Sequence, residues 1–296
     1  MNEQMSEIDA LYQTYQPFLF SIAYRMLGTI TDAEDVVQDL FLNFTPDLTQ
    51  INDMKAYLAK MITNRCLNFL NSARYKREIY TGPWLPEPQV HSTEHPLDKI
   101  INDEAVSYAF LVIMEQLSPA ERAIFIFREA LCYSYKEIAE VIGKSEANCR
   151  KIHSRAKKKL AGQWPLSTGK AEKHNHLVKT FIKASTTGEM SELIEALSED
   201  VIVVTDGGGK VTSALNPIYS KTNVAAFLLG ISKKGAFKGK LMPVKVNDRP
   251  GILQIIDGEP SHVISFTLDK NEKYIERIYI VLNPDKLSHI AISGLS

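Results

Sequence analysis

Apolar residues recur at helical spacing through the first 160 positions and at strand-like spacing through much of the last 100. Leu11, Tyr15, Phe18, Leu19, Ile22, Ala23 and Met26 form one helical stripe, which Gly28 interrupts. Thr31-Asp32-Ala33-Glu34 has the form of a capping box, so a second helix is expected to open there. It turns Val36, Val37, Leu40, Phe41 and Phe44 inward and ends at Pro46. A third helix is expected from about Met54 to Lys76, with Leu58, Met61, Ile62, Cys66, Phe69, Leu70 and Ala73 as its buried stripe.

The run Thr81-Gly82-Pro83-Trp84-Leu85-Pro86-Glu87-Pro88 cannot continue a helix. It predicts an extended, polyproline-like linker between domains. Trp84 and Leu85 are expected to dock on something, because exposing both would waste apolar burial. Helical patterning resumes over 97–160. Ser118-Pro119-Ala120-Glu121 is a capping box with proline where its missing N–H costs nothing, and Ser134-Tyr135-Lys136-Glu137 is another. Ile138, Ala139, Val141 and Ile142 line a short helix. Gly143 allows a tight turn, and Ser145 caps a helix that buries Cys149, Ile152, His153, Ala156 and Leu160. That is a helix-turn-helix.

A polar break over Gly162–Lys173 precedes a different pattern. A helical stretch (about 173–198) leads into strand candidates at Val201–Thr205, Lys210–Ala214, Leu241–Val246, Ile252–Ile256, Val263–Leu268 and Tyr274–Leu282, with a helix near Thr222–Leu229. Helices followed by an antiparallel sheet predict an α+β domain. The domains read as 1–80, a linker at 81–98, 99–162, and 173–296.

Charge sharpens this picture. The formal net charge is only −1, but the charges are sorted into blocks. Between Met26 and Met54 stand Asp32, Glu34, Asp35, Asp39, Asp47 and Asp53, with no Lys or Arg. Lys55, Lys60, Arg65, Arg74, Lys76 and Arg77 follow before Glu78. Asn64, Asn68, Asn71 and Tyr75 share one face of that basic helix. Amides can bond unpaired base edges, and an aromatic ring can stack on an unstacked base. The second helix of the helix-turn-helix carries Asn148, Lys151, Ser154, Arg155 and Lys158 opposite its apolar stripe. Residues near the start of such a helix reach base edges, and its Arg and Lys neutralise phosphates.

The 296 residues, 45% apolar and 23% charged, suit a multidomain globular protein. The N-terminus lacks the pattern of a signal peptide and no run approaches a membrane span, so a cytoplasmic protein is expected. Cys66, Cys132 and Cys149 have no zinc spacing and are read as buried helical thiols; Cys149 with His153 is a weak metal pair lacking other ligands.

Three blocks carry a family resemblance. Asp32 through Phe41 (DAEDVVQDLF) is similar to region 2.2 of the extracytoplasmic-function sigma factors, and Tyr57-Leu58 with Asn64 through Leu70 resembles regions 2.3 and 2.4. Leu117 through Arg122, Tyr135 through Ala139 and His153 through Ala156 resemble region 4. Trp84 through Pro88 (WLPEP), Asp206-Gly207-Gly208-Gly209-Lys210 and Asn283-Pro284-Asp285-Lys286-Leu287 resemble signature motifs of the subgroup with a fused SnoaL-like domain. Cys149 replaces a small aliphatic residue, and Ser220 replaces a common glycine.

The resemblance implies two all-α sigma domains and a cone-shaped α+β domain. It implies a promoter-specificity subunit of RNA polymerase with no catalysis and no cofactor, monomeric when free. Asp32, Glu34, Asp35, Gln38, Asp39 and Phe41 would meet the clamp helices of the polymerase β′ subunit. Asn64, Asn68, Asn71, Arg74, Tyr75 and Arg77 would read the minus-ten element. Ser145, Glu146, Asn148, Arg150, Lys151, Ser154, Arg155 and Lys158 would read the minus-thirty-five element, with region 4 also on the β flap. Trp84, Leu85, Pro86, the Asp206–Lys210 loop and Asn283–Leu287 would form a regulatory contact that replaces a separate anti-sigma protein.

The Asp206 loop is no phosphate loop, since it lacks the closing Gly-Lys-Ser/Thr and a following helix. A glycine-rich hairpin turn is expected there, or a close approach of another backbone such as the linker. His262, Asp257 and Glu259 are candidate pocket residues. The competing readings are a helix-turn-helix regulator with a ligand-sensing domain, and a SnoaL-like hydrolase or isomerase with a helical appendage.

Overall fold

The structure is a computed structural model that describes residues 2–45, 48, 51–72, 80–92, 107–161, 163 and 171–295. Its chain divides into two compact units. One joins Met1–Glu78 with Ile113–Trp164, and the other joins Ile79–Val112 with Pro165–Ser296.

The first unit is helical. α1 (Asn2–Leu27) ends at Gly28, whose φ of +75° favours glycine. α2 (Ile30–Leu42) and α3 (Met54–Asn71) pack on α1. The expected stripes are its core: Leu19, Ile22 and Met26 meet Val37 and Leu40, and Leu58, Ile62 and Cys66, all buried. Burial drives the Cys66 thiol pKa upward, so it stays a packed, protonated group. The expected capping box at Thr31 is corrected. Thr29 is the N-cap residue, and its hydroxyl donates to Asp32 at 2.6 Å instead of capping a backbone N–H. Asp53 does cap α3, accepting from the Ala56 N–H at 2.9 Å. Pro46, Ala73, Arg74, Tyr75, Lys76 and Arg77 lie outside the described residues.

α4 (Tyr108–Met114) crosses from the second unit into the first at Val112/Ile113, and within the first unit follow α5 (Pro119–Phe125), a π-helical turn (Ile126–Ala130), α6 (Tyr135–Ile142) and α7 (Glu146–Lys159). Both expected capping boxes form: Glu121 accepts from the Ser118 N–H at 3.0 Å, and Glu137 from the Ser134 N–H at 2.7 Å. Gly143 adopts φ +68° between α6 and α7, completing the helix-turn-helix. Cys132 departs from the expectation. It is exposed in the loop after the π-turn with φ +58°, neither helical nor buried.

The second unit is α+β. α8 (Ala171–Thr187) and α9 (Ser191–Glu195) replace one long helix, because Gly188 at φ +79° breaks it. The strands are β1 (Val90–His91), β2 (Leu197–Asp206), β3 (Ile218–Tyr219), β4 (Lys240–Val246), β5 (Arg249–Ile256), β6 (Glu259–Leu268) and β7 (Ile275–Val281), with α10 (Lys221–Lys233) after β3. Their order is β1-β4-β5-β6-β7-β2-β3. Three expectations change. The sheet is mixed, since β2 pairs parallel with β7. Lys210–Ala214 is no strand, and the short β3 supplies that edge instead. Without a strand after it, the glycine loop is not a hairpin turn.

Both faces of the sheet are covered. Val203, Ile264, Phe266 and Ile278 pack under α8 and α10. On the other face Leu253, Val263, Tyr279 and Val281 pack against Leu85, Tyr108, Leu287 and Ile290. The segment expected to be a linker is therefore built into this unit. Leu85 is 1% exposed and Val90–His91 extends the sheet along β4. Burying Leu85 contributes about 2 kcal/mol. The structure divides differently from the boundaries read in the sequence: 80–92 goes with the α+β unit, and Met1–Glu78 and Ile113–Trp164 share one helical unit.

Candidate polymerase, promoter and regulatory sites

α2 presents Thr31, Glu34, Asp35, Gln38, Asp39 and Leu42 to solvent. Thr31, Asp35, Gln38 and Leu42 follow i, i+4, i+7, i+11, a single stripe. Leu42 is 83% exposed, a large apolar group that the charge pattern alone did not select. Only its place in the stripe could have marked it. Phe41 is corrected: it is buried, edge-on to Tyr12 with ring centroids 5.1 Å apart, and cannot be a surface contact here. Asp39 pairs with Arg65 of α3 at 2.6 Å and accepts from Asn43, so part of its charge is spent inside the domain. Asp32 is half-buried and accepts from Thr29. Glu34, Asp35, Gln38 and Leu42 remain as the outward face.

On α3, Asn64, Asn68 and Asn71 are all exposed along one side, opposite the buried Leu58, Ile62 and Cys66. Asn71 donates to the Leu67 carbonyl. The three amides therefore occupy the face expected of them.

α7 divides its residues as the periodicity predicts. Cys149, Ile152, His153 and Ala156 are buried, while Ser145, Glu146, Asn148, Arg150, Lys151, Ser154, Arg155 and Lys158 are exposed. Ser145 caps the helix, accepting from the Asn148 N–H. Glu146 pairs with Arg150 at 2.5 Å, and the Arg150 guanidinium lies 4.4 Å over the Tyr135 ring. Arg150 is thus braced, whereas Lys151, Arg155 and Lys158 project freely enough to meet phosphates. His153 sits where a metal ligand was weighed, but its Nδ1 bonds the Tyr135 hydroxyl at 2.8 Å and its Nε2 lies 3.0 Å from Glu129. Burial lowers its pKa despite that carboxylate. No cluster of three metal-ligating side chains occurs among the described residues.

The three signature motifs of the α+β unit meet at Asp206. This carboxylate is fully buried and accepts four hydrogen bonds: from Tyr80 Oη at 2.5 Å, the Leu85 N–H at 2.8 Å, Lys286 Nζ at 2.8 Å and the Gly208 N–H at 3.0 Å. Four donors match the lone pairs of a carboxylate, so its charge is fully met. Lys286, 5% exposed, also donates to the Leu85 carbonyl and lies over the Trp84 ring, 4.0 Å from its centroid. Asn283 donates to Tyr80 Oη at 2.9 Å. Burial, followed by the bond to Asp206, raises the Tyr80 pKa and keeps the phenol a donor.

The glycines now have reasons. A Cβ on Gly208 (φ +59°) would lie 2.6 Å from Asn283 Cγ, and one on Gly209 (φ +71°) 3.0 Å from the Thr81 side chain. A close approach is found at this loop, but it is made by the side chains of Asn283 and of Thr81 in the 80–92 segment and not by another backbone. Lys210 and Asp285 add an exposed pair. Pro86 contributes its carbonyl to Tyr108 Oη at 2.7 Å, Pro284 opens a 3-10 turn that holds Lys286, and Leu287 is buried. Asp257 and Glu259 are exposed at the β5–β6 turn and line no pocket described here, whereas His262 lines a cavity.

Comparison with known proteins identifies both helical segments. Residues 11–75 match Sigma-70 region 2, and residues 107–160 match Sigma-70, region 4. The ECF RNA polymerase sigma factor SigJ of Mycobacterium tuberculosis is 35% identical over 234 residues, 78% of this chain and 74% of that one. A second protein of that organism, described as "Probable ECF RNA polymerase sigma factor SigI", is 25% identical over 96% of both chains. The crystal structure of the Mycobacterium tuberculosis extracytoplasmic function sigma factor SigJ superposes with a TM-score of 0.76 at 28% identity, covering 94% of this chain and 98% of that one. The helical unit with its exposed amide and basic faces, and the α+β unit, thus belong to an extracytoplasmic-function RNA polymerase sigma factor.

Proposed function

We propose that this sigma factor is governed in cis by its α+β domain, which acts by holding the segment that connects regions 2 and 4. The observation that carries this is the burial of Asp206 among Tyr80, the Leu85 N–H and Lys286. The connector is held at this node by charge and by Leu85 in the sheet's second face. A domain that captures the connector sets how far regions 2 and 4 can separate, so no separate anti-sigma protein is required.

The helical unit supplies the reason that separation matters. Arg122 of α5, 4% exposed, donates to the Met26 carbonyl at the end of α1 at 2.6 Å, and α6 packs along α3. A body of this unit's size has a radius of gyration of about 14 Å. The centres of the minus-ten and minus-thirty-five elements lie about 85 Å apart along B-DNA. Regions 2 and 4 must therefore part before both elements are read.

In the open state the α2 face, with Glu34, Asp35 and Gln38, docks on the β′ clamp helices. Asn64, Asn68 and Asn71, with Arg74, Tyr75 and Arg77, read the minus-ten element. The exposed side of α7 reads the minus-thirty-five element, and region 4 docks on the β flap. The chain acts as a monomer, in the cytoplasm where the polymerase works, and leaves the chemistry to the polymerase.

Reconstituted transcription with core enzyme tests this. Full-length protein, a truncation after about residue 165 and a truncation before Asn283 are expected to differ in promoter-specific initiation. Equal activity from all three overturns regulation in cis. Failure of every form to confer promoter selectivity would count against the assigned DNA faces instead.

A further inference from the structure

The helical face of the sheet does not close completely. A cavity of about 400 Å³ opens between α10 and the ends of β2, β6 and β7. Its lining is mostly apolar, from Phe227, Ile231, Phe237, Ile280 and Leu282. Its volume falls in the ordinary range for small-molecule sites, roughly 300–1,000 Å³.

Gly230 explains how the space is kept. It stands within α10, at the start of the last turn, where glycine costs up to about 1 kcal/mol relative to alanine. Its φ is not positive, so the backbone does not demand glycine, and a Cβ built there meets nothing within 4 Å. The missing side chain faces the cavity. Ala226, one turn earlier, keeps the same wall low.

Apart from Lys234, the polar groups are few and neutral. Ser213 and Thr212 stand on one side and His262 on another. Thr205 also lines the wall, but its hydroxyl both donates to the Ala214 carbonyl and accepts from the Ala214 N–H, so it is already engaged. His262 Nδ1 is 2.9 Å from Ser261 Oγ. Burial pulls the His262 pKa down to about 4, which leaves the ring uncharged near neutral pH. The charged side chain among the lining residues is Lys234, exposed at the mouth.

We propose that this cavity binds an uncharged, largely apolar small molecule of about two-ring size, with one hydroxyl directed to His262. Such a ligand would press on Thr205 and Leu282, the immediate neighbours of Asp206 and Asn283, so the site adjoins the connector-holding node. Binding itself stands whether or not the α+β domain governs transcription.

Titration of the full chain with naphthalen-2-ol, naphthalene and naphthalene-2-carboxylate tests the proposal. The wild type is expected to bind naphthalen-2-ol saturably, at least roughly tenfold more tightly than the carboxylate. Gly230→Leu and Ala226→Leu, filling the cavity from two positions, should each weaken naphthalen-2-ol at least roughly tenfold. His262→Phe should abolish the preference for naphthalen-2-ol over naphthalene. In the wild-type protein, naphthalen-2-ol should shift the ring resonances of His262, a readout that does not depend on any variant folding. Absence of saturable binding up to about 1 mM, unchanged affinity in folded cavity-filling variants, preference for the carboxylate, or an unmoved His262 signal overturns it.

Discussion

The Asp206 node and the outer face of α2 both depend on acidic residues, yet they are opposite kinds of site. Asp206 has no exposure and four donors, so its partners are already chosen. Glu34 and Asp35 stand in water, and their partners must come from outside. Charge buried in its own fold holds a conformation, and removing half of it leaves the other half stranded. Charge on a solvated helix face costs the fold little and is free to choose a partner. Stability measurements should therefore respond to the first site and binding measurements to the second.

The largest effect is expected at the node. Asp206→Ala leaves the Lys286 ammonium with the Leu85 carbonyl but without its counter-charge, and the Leu85 N–H and the Tyr80 hydroxyl without this acceptor. The expected loss is about 3–5 kcal/mol in the denaturant-induced unfolding of the α+β body. Adding Lys286→Met to that variant should recover a large part of the loss, because the stranded charge is gone. A double variant no more stable than Asp206→Ala would show that the pair is not what matters.

Acid offers the next largest effect. His262 has a folded pKa of about 4 against an unfolded value near 6.5. The unfolded chain therefore binds the proton first as pH falls. The stabilisation is fully present above about pH 6.5 and is lost progressively down to about pH 4, amounting to about 3 kcal/mol at most. Unfolding free energies of wild type and His262→Phe, followed from pH 7 to pH 4, should diverge in slope, with the wild type the steeper. His153, whose pKa burial also lowers, adds a loss of the same sign in the helical unit.

The α2 face should behave in the reverse manner. Asp35→Arg with Leu42→Ser exchanges exposed groups only, so unfolding free energy should change by less than about 0.5 kcal/mol. Affinity for core polymerase should fall at least roughly tenfold, or about 1.4 kcal/mol. Asp39→Ala should show both effects weakly, because its carboxylate pairs with Arg65. If Asp35→Arg unfolds the domain, or leaves core binding untouched, the contrast between the two sites fails.

Much of this was legible because helical periodicity is a local property. The stripes of α2 and α7 and the caps at Ser118, Ser134 and Ser145 appear as expected, whereas in α1 and α3 only part of each stripe is fully buried, Leu11, Tyr15, Phe18, Met61 and Phe69 being partly exposed. What stayed hidden depends on contacts remote in sequence. Trp84 and Leu85 asked for a partner, but nothing local said it was a sheet face and a lysine some 200 positions away. The WLPEP run looked like a linker because proline excludes helix, and proline is equally at home at the covered edge of a sheet. The Asp206 loop was read for its glycines, whereas its acid is the centre. Phe41 carries two conflicting signals, an inward place in the periodicity and a place in an acidic motif, and its burial beside Tyr12 shows that the periodicity wins. Cys132 carried no sign that the chain would leave helical geometry at a π-turn.

Ser220 gives the smallest effect and the sharpest test of how backbone geometry underlies the node's surroundings. It precedes α10 with φ +76° and ψ 148°, close to a region essentially reserved for glycine. Its hydroxyl makes no capping bond to the helix, so the side chain returns nothing for that strain. A serine so placed costs of order 1 kcal/mol or more relative to glycine, partly offset by glycine's greater freedom in the unfolded chain. Ser220→Gly is therefore expected to stabilise the α+β body by about 0.5–1 kcal/mol, raising its unfolding midpoint by a few degrees. Ser220→Ala, which keeps the Cβ and removes the hydroxyl, should leave stability unchanged. If alanine stabilises as much as glycine, the hydroxyl and not the backbone is at fault.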